Sequence, residues 1–141
     1  MARIMAFDYG KKRVGIAVTD PSQIIATALD TVETKLIFPF ISAYVAKENV
    51  EAFVVGMPYN FGHQENEVMK FVVQFINELG NKFPTIPIHK IDERFTSKMA
   101  TAVILQSGVN RKDRQNKATV DKVSASILLQ SYMEMRSNKP F

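Results

Sequence analysis

The sequence predicts an α/β domain in which a mixed β-sheet is covered by helices. Three observations carry that expectation. Two apolar runs near the start, residues 3–8 and 13–19, flank the turn Tyr9-Gly10-Lys11-Lys12 and predict a hairpin. Residues 52–56, Ala-Phe-Val-Val-Gly, are apolar throughout, as in a strand buried on both faces. Between residues 68 and 79, Val68, Phe71, Val72, Phe75, Ile76 and Leu79 recur at helical spacing and form one apolar stripe. Hairpin strands first, then strands alternating with helices, is the order of a mixed sheet.

The elements follow in turn. Residues 24–33 predict a third strand through Ile25, Thr27, Leu29 and Thr31. A helix is expected from about Leu36 to Lys47, with Pro39 in its first turn, where a missing N–H costs little. Met57-Pro58 ends the fourth strand. Gly80 is expected to stop the helix that follows. Residues 87–91 predict a fifth strand, which runs into Asp92-Glu93-Arg94. A helix should start near Thr96 or Ser97, either a good N-cap, and stop at Gly108. A last helix should begin near Thr119 and reach about Met135.

At 141 residues the chain suits a single domain over 1–141. With no cysteine, disulfides and thiolate metal sites are excluded, and any metal must sit on oxygen or imidazole ligands. No apolar run approaches the roughly 20 residues of a membrane span. The first residues read straight into a strand, so a cytoplasmic location is expected. The pI near 9.4 and formal charge of +4 favour a polyanionic partner without establishing one. Residues 111–117 concentrate that charge: Arg111, Lys112, Arg114 and Lys117 stand against Asp113 alone.

Three carboxylates fall where such a sheet could gather them. Asp8 closes the first strand, and ligands of mixed α/β sheets sit beyond the carboxyl ends of parallel strands. Glu93 follows the fifth strand and emerges at the same edge if that strand runs parallel to the first. Asp121 is expected in the first turn of the last helix, above the small residues Ser124 and Ala125, which let a helix approach a sheet closely. Two carboxylates about 4 Å apart repel by roughly 4 kcal/mol at an effective dielectric of 20, so convergence calls for a proton or a cation. Oxygen ligands with open positions suit Mg²⁺ or Mn²⁺. A bland alternative exists for each residue: Asp8 as a turn former, Asp121 as a first-turn acid, Asp92-Glu93-Arg94 as a surface ion-pair patch, the basic segment as a solvated connection. His63 and His89 have no ligand partner at useful spacing and are read as non-functional.

Taken together, four segments resemble the YqgF family, also called RuvX. They are 7–18 (Phe-Asp-Tyr-Gly-Lys-Lys-Arg-Val-Gly-Ile-Ala-Val), 54–58 (Val-Val-Gly-Met-Pro), 92–97 (Asp-Glu-Arg-Phe-Thr-Ser) and 120–125 (Val-Asp-Lys-Val-Ser-Ala). The resemblance implies an RNase H-like fold around a five-stranded mixed sheet. It implies a hydrolase, a metal-dependent nuclease that matures the 5′ end of the pre-16S ribosomal RNA, or a resolvase of branched DNA. By the family pattern Asp8, Glu93 and Asp121 form the catalytic and metal-binding triad, supported by Arg94 and Thr96. Lys11, Lys12 and Arg13 in the first motif, with Arg111, Lys112, Arg114 and Lys117, are the further nucleic-acid-binding candidates. Rather than the common Thr-Thr and Ala-Ala, the chain has Thr96-Ser97 and Ser124-Ala125, and its segment Asn60-Phe61-Gly62-His63 is also unusual. Nucleic acid is the expected partner, with ribosome assembly intermediates, no membrane, and a monomer or weak homodimer.

A nucleotide phosphotransferase is the alternative enzyme class, because an Asp-x-Gly hairpin also opens actin-like ATPases. Those enzymes close two domains on the nucleotide, and this chain has length for one. A non-catalytic RNA- or ribosome-binding factor is the other alternative. It would keep the basic segment and have no need of three converging acids.

Overall fold

The computed structural model describes residues 2–58, 67–92 and 117–137; within the last span, 117–121 and 137 are described as helix backbone. Five strands form one sheet: β1 (Arg3–Tyr9), β2 (Arg13–Thr19), β3 (Ala26–Glu33), β4 (Val50–Met57) and β5 (Ile88–Asp92). Three α-helices are described, α1 (Ile37–Lys47), α2 (Glu67–Lys82) and α3 (Lys117–Ser137), with a 3₁₀ turn at Thr34–Leu36 before α1. The strand order is β3-β2-β1-β4-β5. β1, β2 and β3 pair antiparallel, whereas β4 is parallel to β1 and β5 is parallel to β4. β5 is therefore parallel to β1, the condition under which the ends of both strands share an edge.

Alternation along the strands divides the core into two layers. Met5, Phe7, Phe53 and Val55 face the layer formed with Ile37 and Ile41 of α1 and Val72, Phe75 and Leu79 of α2. Ile4, Ala6, Ala52, Val54 and Ile91 face the other layer, with Ala125, Leu128, Leu129 and Met133 of α3. Phe7 lies at the centre of the first layer, its ring centroid 5.7 Å from Phe53 and 5.5 Å from Phe75. The small side chains of Ala6, Ala17, Ala52 and Ala125 are what allow α3 to lie close against the sheet.

Several boundaries differ from expectation for visible reasons. β3 starts at Ala26 rather than residue 24, because Asp20 Oδ1 accepts the N–H groups of both Ile24 and Ile25 at 2.7 Å and holds them in a turn. Gly80 does not stop α2, which continues to Lys82. The Phe83 N–H still donates to the Leu79 carbonyl at 2.9 Å. The stop comes from Pro84, which disfavours helical geometry at the residue before it. The stripe of α2 is rotated from the one expected: Met69 is buried and Phe71 is 40% exposed. The last helix begins at Lys117, so Lys117 is a helix residue and Asp121 lies in the second turn. The helix expected between Thr96 and Gly108 lies outside the described residues.

Candidate functional site

The site begins with the β1–β2 hairpin. Asp8 pairs with Gly15 across the hairpin, at the carboxyl end of β1. Strand alternation puts it on the face of Ile4 and Ala6, which α3 covers. Tyr9 takes the opposite face, where its ring stacks on Phe75 at 4.8 Å. Burial, then the nearby Glu78 carboxylate, raises the Tyr9 hydroxyl above its ordinary pKa of 10.0.

The loop that follows is tied down. The Gly10 N–H donates to the Arg13 carbonyl at 2.9 Å. A Cβ on Gly10 would stand 2.7 Å from that same oxygen, so a side chain there must displace backbone. From the start of the turn after β3, the Thr34 hydroxyl donates to the Gly10 carbonyl at 2.6 Å and the Thr34 N–H donates to the Lys12 carbonyl at 2.9 Å. Sequence reasoning missed Thr34, since nothing local marks a hydrogen bond to a residue so far back in the chain.

Asp8, Tyr9, Gly10, Lys11, Lys12 and Arg13 line an open concavity of about 360 Å³. Its described charged residues are thus one carboxylate and three cations. A second concavity adjoins it, lined by Lys11, Lys12, Arg13, Glu33 and Lys35. Lys11 Nζ bridges to Glu67 Oε1 at 2.9 Å, with both side chains substantially exposed, and lies 5.4 Å from the centroid of the Phe71 ring. An exposed ion pair of this kind contributes about 0–1 kcal/mol, so Lys11 can exchange Glu67 for another anion at little cost.

The parallel strands carry their ends to the Asp8 edge. Phe7 pairs with Val55, and Met57 pairs with Asp92 at the end of β5. Helix α3 runs the other way. Near its end, Arg136 donates to Gln23 Oε1 at 2.8 Å, and Gln23 donates to the Ala2 carbonyl at 2.9 Å, at the edge where β1 begins. From Arg136 back to Asp121 a helix rises about 22 Å, and from Ala2 to Asp8 a strand covers about 20 Å. The backbone of Asp121 is thereby directed toward the Asp8 edge. Glu93, Arg94, Thr96, Arg111, Lys112 and Arg114 lie outside the described residues, as do His63 and the rest of 59–66. His89 stacks on Tyr132 at 5.2 Å.

A mixed sheet of order 3-2-1-4-5, with an acid ending its central strand and a helix returning across one face, defines an RNase H-like α/β domain. The chain matches the family model described as RuvX, Holliday junction resolvase, over residues 2–135, and it belongs to that family. A relative from Phocaeicola vulgatus, named as a candidate pre-16S rRNA nuclease, is 53% identical over 136 residues, 96% of this chain and 98% of the relative. One from Porphyromonas gingivalis with the same name is 48% identical over 134 residues, 95% of this chain and 97% of the relative. Among solved structures, Thermus thermophilus RuvC in complex with a Holliday junction substrate superposes with a TM-score of 0.60 at 14% identity, covering 100% of both chains. At that identity the likeness is one of fold. Among the described residues, no helix is long and apolar enough to cross a membrane.

Proposed function

We propose that this chain is a single-domain, metal-dependent nuclease that hydrolyses phosphodiester bonds in the 5′-end maturation of pre-16S ribosomal RNA. The observation that carries the reading is the place of Asp8. It is the penultimate residue of the central strand, at the edge of the parallel strands, in a concavity whose other charged lining residues are Lys11, Lys12 and Arg13. A polyanion entering that concavity meets three cations beside one carboxylate. The names carried by the curated relatives, which match over nearly the whole of both chains, support RNA as substrate.

Glu93 and Asp121 complete the proposed site. Ile91 faces the α3 layer, and Glu93 follows in sequence directly after Asp92, the last residue of β5. An all-carboxylate donor set fits Mg²⁺ or Mn²⁺ and no soft metal. When bound, such an ion neutralises the acids and stabilises the charge that develops on the phosphodiester. The protein's own part is placement. The hairpin fixes Asp8, and Lys11, Lys12 and Arg13 hold the phosphates on either side of the scissile one. Arg94, Thr96, Arg111, Lys112, Arg114 and Lys117 extend this contact surface.

The RuvX description and the RuvC likeness favour a second reading, resolution of four-way DNA junctions by the same site. Labelled precursor rRNA and labelled four-way junctions, incubated with and without Mg²⁺ or Mn²⁺, separate the two. Metal-dependent cutting of the RNA, lost in Asp8→Asn, is expected. Tight binding with no metal-dependent cutting of either substrate would make the protein a non-catalytic RNA-binding factor.

A further inference from the structure

A cavity of about 280 Å³ opens on the far side of Tyr9 from Asp8, between the start of α1 and the flank of α2 that carries Phe71, Gln74, Phe75 and Glu78. Tyr9, Phe38, Phe71 and Phe75 supply aromatic wall, and Gln74 and Glu78 supply hydrogen-bonding groups at its rim. The rings are held against each other: Phe75 stacks with Tyr9 at 4.8 Å and lies 5.6 Å from Phe38. Phe71 is 40% exposed. Three lysines surround this aromatic floor. Lys11 lies 5.4 Å from the Phe71 centroid, Lys82 lies 5.4 Å from the Phe38 centroid, and Lys35 lines the cavity wall.

The cavity is continuous with the cationic surface already described. It shares Tyr9 with the Asp8 concavity and Lys35 with the one beside it. A chain of phosphates lying across Lys11, Lys12, Arg13 and Lys35 therefore passes the mouth of an aromatic-walled pocket. Recognition of unpaired nucleotides uses this combination: bases leave the strand, stack on aromatic side chains and form hydrogen bonds along their edges. A buried hydrophobic contact would need none of the lysine rim, and a phosphate site would need none of the aromatic wall.

We propose that this cavity receives one unpaired nucleobase of the substrate strand, stacked on Phe71 and hydrogen-bonded through Gln74 or Glu78. The proposal rests on the nucleic-acid reading of the Asp8 site and narrows it. The strand near the scissile phosphate is single-stranded or has one base extruded, because a base held in a duplex cannot enter. Asp8 and Tyr9 are consecutive at one strand end but face opposite sides of the sheet, so the captured base belongs to a nucleotide that passes round that strand end from the cut.

Binding tests this without any cleavage. Single-stranded RNA carrying one 2-aminopurine at successive positions is titrated with protein in EDTA, beside the same sequence fully paired. Wild-type protein should change the fluorescence strongly at one position of the single strand and weakly in the duplex. Phe71→Ala should abolish that position-specific change and weaken binding on the order of 10-fold, while leaving the salt dependence unaltered because no charge is lost. Phe71→Tyr should retain both. Lys35→Gln should keep the fluorescence change and flatten the log–log salt slope by about 0.7. Phe71 is partly exposed, so its removal leaves the fold intact, which a thermal melt verifies. If Phe71→Ala binds as wild type with the same fluorescence pattern, the base pocket is overturned while the nuclease reading stands. If wild-type protein binds no oligonucleotide at all, both fall together.

Discussion

The Thr34 hydroxyl donates to the Gly10 carbonyl at 2.6 Å, joining the turn after β3 to the loop that follows Asp8. With the Thr34 N–H on the Lys12 carbonyl, it fixes both ends of the segment that carries Lys11. A loop that must present cations at set positions loses less entropy on binding if it is held beforehand. Thr34→Val keeps the volume and the backbone bond and removes the hydroxyl donor. A stability loss of about 1 kcal/mol is expected, a fall in Tm of about 4 °C for a chain of this size. Single-strand binding should weaken as well, and Thr34→Ser should restore most of both. Equal melting and equal affinity in Thr34→Val would make the bond incidental.

The hairpin cations predict a salt effect. Lys11, Lys12 and Arg13 line the Asp8 concavity together. If each meets a phosphate, replacing Lys11 and Lys12 with Gln should flatten the log–log salt slope by about 1.4 on single strands, at about 0.7 per contact. The proposed contacts of Arg111, Lys112 and Arg114 should contribute separately, so the two sets of changes should add. An unchanged slope in the Lys11, Lys12 double variant would remove the hairpin from the binding surface.

Asp20 predicts a pH effect away from the site. Its carboxylate accepts backbone N–H groups, that of Ile25 foremost, and its pKa is lowered below the ordinary 3.8. A carboxyl with a lowered folded-state pKa stabilises the fold at pH above 3.8, and that contribution is lost as pH falls through the folded value. Asp20→Ala should therefore melt below wild type at pH 7. The gap should close as the pH drops below the ordinary carboxylate value. Melts of both proteins from pH 7 down to pH 2.5 check this, and a gap that is constant with pH would mean the turn is lost for steric reasons instead.

Much of the framework is legible in sequence because it rests on local pattern. The apolar runs of β1, β2 and β4 and the turn at Gly10 are each written within a few residues, and the order of elements then constrains the sheet. What escapes notice depends on contacts between distant segments. Ile24 and Ile25 read as strand because they are apolar, yet Asp20 takes their N–H groups into a turn. Gly80 reads as a stop, yet the hydrogen bonds of α2 run past it to Phe83. Phe71 reads as core because it sits on the edge of a helical stripe, and only the way α2 lies on the sheet leaves it partly exposed beside Lys11. Asp8 is legible because a charged residue near the end of a buried strand breaks the strand's own pattern. The strap from Thr34 has no such signature.

The proposed metal site predicts a link between cation and stability. If Asp8, Glu93 and Asp121 converge, the metal-free protein holds repelling carboxylates, offset in part by Lys11, Lys12 and Arg13 in the same concavity. Asp8→Asn should relieve that repulsion and melt above the wild-type temperature in EDTA. Metal reverses the comparison, because it binds the folded state and stabilises it by mass action. At 100 times the dissociation constant the gain is roughly 2.7 kcal/mol for one site. Asp8→Asn, with a charged ligand gone, should gain much less, and Glu93→Gln and Asp121→Asn should behave alike. In cleavage, the three losses should not add, since removing any one disables the same site. A turn-forming Asp8 with no acidic neighbours predicts otherwise: its removal lowers stability or leaves it unchanged, with no dependence on Mg²⁺ or Mn²⁺. Melts of wild type and the three variants, in EDTA and at saturating metal, decide between them. Equal metal responses in wild type and Asp8→Asn would exclude Asp8 from the metal site, whatever the cleavage assay returns.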